Sequence, residues 1–172
     1  MAISEGARTR HLFAFRQAAV AVRPATASDA AAICDLARAF HAEHIERWGP
    51  DSAKQWPLKQ IRSAISSRDA CVVVAAIGGK LVGFANGAIL DPEAGLRIGR
   101  IDTVFVLPGQ RGSRVAEDLM TVLMDALAEC GADSLELIVA TQNTRAQAFF
   151  AKFGFGDGDR VMSVDVDLEV PA

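Results

Sequence analysis

Residues 101–116 read IDTVFVLPGQRGSRVA, and the character of the chain changes twice within them. An apolar run from Val104 to Leu107 stops at Pro108, and the Pro108-Gly109 pair forces a turn. Arg111, Gly112 and Ser113 then lead into a segment whose apolar residues fall at helical spacing. The stretch therefore reads as strand, tight loop, helix. A helix start leaves backbone N–H groups without partners and carries the positive end of the helix dipole, so it suits an anion. Gly112 lets a ligand come close to the main chain. A phosphate-bearing ligand is the first expectation.

Beyond the loop, Val115, Leu119, Val122, Leu123, Ala126, Leu127 and Cys130 trace one buried helix face, and Gly131 is its natural stop. Glu117 and Asp118 near its start suit the dipole. Ser134 to Ala140 predicts a fifth strand, parallel to the one before it because a helix joins the two. Asn143 starts another helix, with Ala146, Phe149, Phe150 and Phe153 as apolar positions and Gly154 as its end. Phe155 is a candidate for an extra short strand. Met162, Val164, Val166 and Leu168 alternate with polar residues in a last strand.

In the other direction a strand runs from about Arg97 to Leu107. Before it, the apolar runs Cys71–Ile77 and Leu81–Leu90 flank Gly78-Gly79, a hairpin signature. Gly83 and Gly87 share one face of the second run and leave room for a close neighbour. Val20 to Arg23 forms a short strand. Thr26 with Asp29 resembles a capping box ahead of a helix with Ile33, Leu36, Ala37 and Phe40 on one face, continued by His44. Gly49 and Pro50 break that helix, and Pro57 opens another containing Leu58, Ile61, Ala64 and Ile65. A loop carrying Glu46, Trp48, Asp51 and Trp56 is expected between the two. The order is β-α-α-β-β-β-α-β-α-β, a single mixed α/β domain over residues 20–172 behind an extension at 1–19.

The 172 residues, 51% hydrophobic and 23% charged, suffice for one packed core. A net charge of -3 argues against a nucleic-acid partner. Cys34, Cys71 and Cys130 lie far apart without CxxC spacing and read as small core residues, with neither a disulfide framework nor a zinc site. No apolar run approaches the roughly 20 residues that span a bilayer, and the first 19 residues lack the pattern of a secretory signal. A cytoplasmic protein is expected. GQRGSR lacks the lysine and spacing of a P-loop, and the glycines at 154, 156 and 158 do not open a helix after a strand.

Two motifs together carry a resemblance. Val106, Leu107 and Pro108 are followed by Arg111, Gly112, Ser113, Arg114, Val115 and Ala116, and Asn143, Ala146, Phe149, Phe150, Gly154 and Phe155 follow at the matching separation. In this order and topology the chain resembles the GCN5-related N-acetyltransferase (GNAT) superfamily from about Val20 to its end. The resemblance implies acetyl-coenzyme A as co-substrate, no metal, and central strands splayed around the coenzyme. It implies pyrophosphate on the main-chain N–H groups from Arg111 to Ala116, and the pantetheine arm against the backbone of Val104, Phe105 and Val106. It implies a contact to the arm from Asn143, and transfer to a primary amine by direct attack in a ternary complex.

Two departures from the family pattern stand out. Arg114 occupies a position where many relatives have Gly. Phe150 occupies the position of the Tyr that protonates the departing thiolate, and the chain has no tyrosine. Asp102 matches the position where some relatives carry a catalytic Glu, and it is the expected base, activated by partial burial. His41, His44, Glu46, Trp48 and Trp56 belong to the region that caps the acceptor site in such proteins, and a histidine there is an alternative base. The missing Tyr keeps a second function open, a non-catalytic acyl-coenzyme A sensor or interaction module. The acceptor is a small-molecule or peptide amine, and a homodimer is expected by family analogy alone.

Overall fold

A computed structural model describes residues 19–50, 55–90 and 95–156. Its elements are β1 (Val20–Pro24), α1 (Ala30–Trp48), α2 (Leu58–Ser66), β2 (Ala70–Ile77), β3 (Lys80–Leu90), β4 (Ile98–Val106), α3 (Val115–Glu129), β5 (Ser134–Leu137) and α4 (Thr144–Ala151). They reproduce the expected order through its ninth element. The extension at 1–18 and the strand expected from Met162 to Leu168 lie outside the described residues.

The strands form one sheet in the order β1-β2-β3-β4-β5. The first three pairings are antiparallel, and β4 and β5 are parallel, as a helical crossover requires. Gly78 and Gly79, both at positive φ, make the two-residue turn between β2 and β3.

The alternation along the strands divides the core into two layers. Val73, Ala75 and Ala85 pack against Leu119, Met120, Leu123 and Leu127 of α3, while Val72, Val74 and Phe84 pack against Ile33, Leu36 and Ile61 of α1 and α2. The room left by the strand glycines is filled from the α3 side. A Cβ on Gly83 would lie 2.7 Å from the Phe105 carbonyl oxygen and 3.1 Å from Leu119 Cδ1. One on Gly87 would lie 2.5 Å from the Arg100 carbonyl oxygen and 3.1 Å from Leu127 Cδ1. Neither position has space for a side chain.

A β-bulge at Asp102 governs the far end of the sheet. Asn86 pairs with Thr103 and Gly87 with Ile101, so Asp102 is an extra residue on β4. One extra residue inverts the facing of everything beyond it. Ile101 accordingly lies in the α3 layer, whereas Phe105, four residues on, lies in the α1/α2 layer.

Pairing with β5 ends at the same point, with Ile101 opposite Leu137. This corrects the strand expected from Ser134 to Ala140: residues 138–140 have no ladder partner among the described residues, and Ile138 is 71% exposed. The apolar run marked the strand, but the divergence of β4 set its length.

Smaller corrections concern boundaries. Glu46 and Trp48 belong to α1, which ends at Trp48 with Gly49 as its cap, rather than to the loop expected there, and Asp51 lies outside the described residues. Pro57 caps α2 one position before its first helical residue. The box at Thr26 starts a 3₁₀ turn over 27–29 that feeds α1, with Thr26 N–H donating to Asp29 Oδ2 at 2.8 Å. Phe155 is not in a strand; its ring packs on Phe150 at 6.2 Å between centroids.

Candidate active site

Where β4 and β5 part, a cleft of about 520 Å³ opens between β4, α1, α4 and the loop that precedes α3. Val104, Phe105, Val106, Arg111, Gly112 and Ser113 line it, as do Ala116, Asn143 and Phe150. Nine of the twelve residues expected at the site thus share one cleft.

The loop is built as its sequence suggests. Pro108–Gln110 forms a 3₁₀ turn, Ser113 Oγ donates to the Gln110 carbonyl at 2.6 Å, and Gly112 sits at φ +79. That left-handed backbone suits glycine. The first intrahelical bond of α3 runs from Asp118 N–H to the Arg114 carbonyl. The N–H groups of residues 112–117 find no acceptor among the described residues. A run of free donors at a helix start is an anion cradle in both geometry and charge.

Arg114 is the residue that caps α3 and is exposed outside the cleft lining, and the Val115 side chain is buried in the α3 layer, 1% exposed. Their part in the cradle is main-chain. Arg114 does not crowd the loop, because its φ of -77 needs no glycine.

Along β4 only alternate residues turn their main-chain groups toward the cleft. Leu107 N–H donates to the Val82 carbonyl on β3 at 2.9 Å, so ladder alternation directs the main chain of Phe105 to β3 as well and that of Val104 and Val106 to the open edge. This corrects the expectation for Phe105: its ring lines the cleft while its peptide groups belong to the sheet.

The Arg111 side chain is fully engaged. Its Nε donates to the Val106 carbonyl at 2.9 Å, and its guanidinium makes a bidentate pair with Glu43 on α1, Nη1 to Oε1 at 2.9 Å. The guanidinium carbon lies 5.6 Å from the centre of the Phe105 ring. Arg111 holds the Glu43 carboxyl below its ordinary range, and Arg47 and Arg145 add to the effect. Sequence reasoning missed Glu43. Its signal was a carboxylate placed between Phe40 and His44, on the apolar side of α1.

Asn143 caps α4, its Oδ1 accepting from Ala146 N–H at 3.2 Å. Phe150 lines the cleft and packs against Phe149 at 5.2 Å, an apolar surface where a phenol was looked for. His44 also lines the cleft, its ring 5.2 Å from Phe40. His41 is half-buried and Glu46 exposed, and neither lines the cleft. Trp56 stacks on Phe84 in the α1/α2 layer, so it serves packing.

Asp102 does not line the cleft. Its side chain is 38% exposed, one oxygen accepting from Arg100 Nε at 3.0 Å and the other from Asn86 Nδ2 at 3.4 Å. This corrects the expectation of a partly buried base: the bulge turns the carboxylate toward its own strand neighbours. Among the described residues no group of three His, Cys, Asp or Glu is arranged to hold a metal, and no helix is long and apolar enough to cross a membrane.

Comparison with known proteins bears on the family and the fold. The model of the acetyltransferase (GNAT) family matches residues 31–155. Mycothiol acetyltransferase of Tsukamurella paurometabola is 29% identical over 146 residues, which cover 80% of this chain and 47% of that protein. The chain spans about half the length of the curated relatives it matches. Among solved structures, the BH1408 protein of Bacillus halodurans superposes with a TM-score of 0.71 at 19% identity, covering 85% of this chain and 99% of that one. Aminoglycoside N-acetyltransferase AAC(6')-Iy in complex with CoA gives 0.70 at 17% identity, covering 88% and 97%. At such identities the structural likeness speaks for the fold.

Proposed function

The chain belongs to the acetyltransferase (GNAT) family, and on that premise we propose that it transfers an acetyl group from acetyl-coenzyme A to a primary amine by direct attack in a ternary complex. The observation that carries the reading is the run of unpartnered N–H groups at 112–117, set at the mouth of a cleft whose β4 edge is open. A pyrophosphate fits those donors, and the amide-bearing arm of the coenzyme fits the outward peptide groups of Val104 and Val106 as a further strand would. Acetyl-coenzyme A supplies an activated thioester whose thiol, with a pKa of about 8.5, leaves readily near neutral pH.

The chain's own residues then have three tasks. The cradle fixes the phosphates, and the Val104 and Val106 N–H groups face the region where negative charge grows on the thioester oxygen. The amine must lose a proton to attack, and we assign this to Asp102 working through water, with Arg100 and Asn86 fixing its two oxygens. As the C–N bond forms and the C–S bond breaks, the thiolate takes its proton from solvent, since Phe150 has none to give.

His44 is a second reading for the base, favoured because it lines the cleft and Asp102 does not. Asp102→Ala and His44→Gln separate the two in steady-state kinetics on one acceptor. The residue that acts as base loses at least about 10² in kcat, while its coenzyme affinity is retained.

We put aminoglycoside amines first in the acceptor panel because the structural neighbour AAC(6')-Iy is an aminoglycoside N-acetyltransferase. The Phe150 substitution supports a second function, a sensor that holds acyl-coenzyme A without turnover. A thiol-release screen of the purified chain against many amines decides between them. Release with at least one amine supports the transferase; binding of acetyl-coenzyme A with no release across the panel supports the sensor.

A further inference from the structure

Cys71 and Cys130 lie outside the cleft, in the α3 layer of the core. Cys71 is the second residue of β2, and Cys130 caps the C-terminal end of α3. Their Sγ atoms are 3.4 Å apart although 59 residues separate them in sequence. Cys71 is 7% exposed, whereas Cys130 is partly open to solvent.

The approach is held by a neighbour rather than left to the thiols alone. Arg97, just before β4, donates from Nη2 to the Cys130 carbonyl at 3.0 Å and to Asp69 Oδ1 at 3.4 Å, and Asp69 stands two residues before Cys71. One guanidinium thus ties the end of α3 to the entrance of β2. Gly131, at φ +88, turns the chain directly over the Arg97 side chain, where a Cβ would come within 3.2 Å of Nε.

We propose that this pair is a modification site, at which hydrogen peroxide converts the two thiols into a Cys71–Cys130 disulfide. The open thiol reacts first: Cys130 sulfur attacks the peroxide, the O–O bond breaks, water leaves, and a sulfenic acid forms. Cys71 sulfur then attacks Cys130 sulfur, the S–O bond breaks, and the hydroxide departs as water with the Cys71 proton. Two thiols and one peroxide give one disulfide and two waters. Burial pushes the Cys71 thiol well above its ordinary range, which makes its thiolate scarce. Contact distance offsets this scarcity, because a held nucleophile acts at an effective molarity far above any solution concentration. Cys34 is the internal control, buried in the α1/α2 layer across the sheet.

The test is intact-mass analysis and thiol alkylation of the full chain before and after limiting peroxide. The proposal does not depend on the acetyl-transfer reading. The chain has three cysteines, so alkylatable thiols should fall from three to one, with a mass loss of about 2 Da and a Cys71–Cys130 cross-linked peptide that dithiothreitol removes. Cys130→Ser should abolish the loss. Cys71→Ser should leave Cys130 to proceed to sulfinic acid, adding oxygen mass instead. The proposal is overturned if the native chain keeps three free thiols, if it adds oxygen at Cys130 while Cys71 stays alkylatable, or if the cross-link joins two chains.

Discussion

Glu43 and Arg111 stand 68 residues apart in sequence and meet at the cleft mouth through two parallel hydrogen bonds. Their side chains are 30% and 26% exposed, so water screens the pair only in part. Such a pair is worth more to the site through what it masks than through its own energy. With Arg111 in place the carboxylate is neutralised beside the proposed phosphate cradle; without Arg111 it loses its bidentate partner and keeps only the looser pair with Arg47 at 3.5 Å. Arg111→Met should therefore raise KM for acetyl-coenzyme A by about tenfold or more, the equivalent of about 1.4 kcal/mol. Glu43→Gln in the same chain should recover most of the loss, giving non-additivity in a double-mutant cycle. If the double variant binds no better than Arg111→Met, the guanidinium itself and not the masking is what the coenzyme needs. Phe150 allows a cleaner experiment. Phe150→Tyr adds one hydroxyl to a ring that already lines the cleft, and kcat should rise, by at most about 10²-fold, with KM for the coenzyme little changed. An unchanged kcat in stopped-flow and steady-state assays would mean that solvent already protonates the thiolate fast enough.

Between β1 and α1 the chain turns on a single carboxylate. Asp29 accepts from Arg23 Nη1 at 2.7 Å and Nη2 at 2.9 Å, and also from the Thr26 N–H and hydroxyl. The hydrogen bonds from Arg23 come first among the causes that hold its carboxyl far below the ordinary range, against the opposing effect of burial. A carboxyl depressed in the folded state lends stability that is complete above its unfolded pKa of about 3.9 and fades as pH falls through the folded value. Asp29→Asn should cost about 1–3 kcal/mol in urea unfolding at pH 7, and the same at pH 5. The gap should narrow only below about pH 4, and a gap already closed at pH 5 would assign the stability to another group. This junction also shows what local pattern can and cannot disclose. Thr26 and Asp29 are three residues apart and were legible as a box, but the two bonds from Arg23 depend on where β1 places its last residues. The same division recurs in β5, where the run SLELIVA marked a strand correctly and overstated it by three residues, because its length is decided by β4 across the ladder.

At the scale of the molecule, the order of the first nine elements, the β2–β3 hairpin and the parallel β4–β5 pair were legible because each rests on periodicity or a local turn signal, and the nine cleft residues were legible through the family resemblance that two short motifs carry. The bulge at Asp102 was not. A lone Asp in an apolar strand reads the same whether it faces solvent, a ligand or an extra register step, and only the pairing of Asn86 with Thr103 and Gly87 with Ile101 reveals the step. That one residue turns β4 over, ends its pairing with β5, and so opens the cleft beneath the free donors of α3. If this opening is where coenzyme binds, the ligand joins β4, α3 and α4 in one assembly, and stability of the whole chain must rise by mass action. At acetyl-coenzyme A one hundred times Kd the gain is about 2.7 kcal/mol, which for a domain of this size is about 5–10 °C in Tm. Gly112→Val puts a β-branched residue at φ +79, where the strain is of order 1–2 kcal/mol. The unliganded variant should melt only a few degrees lower, yet its shift with acetyl-coenzyme A should largely vanish, because the loop can no longer present its N–H groups. Calorimetric scans of both chains with and without ligand measure this directly. A full shift in Gly112→Val would move the phosphates off the 112–117 cradle and leave the cleft without its anchor.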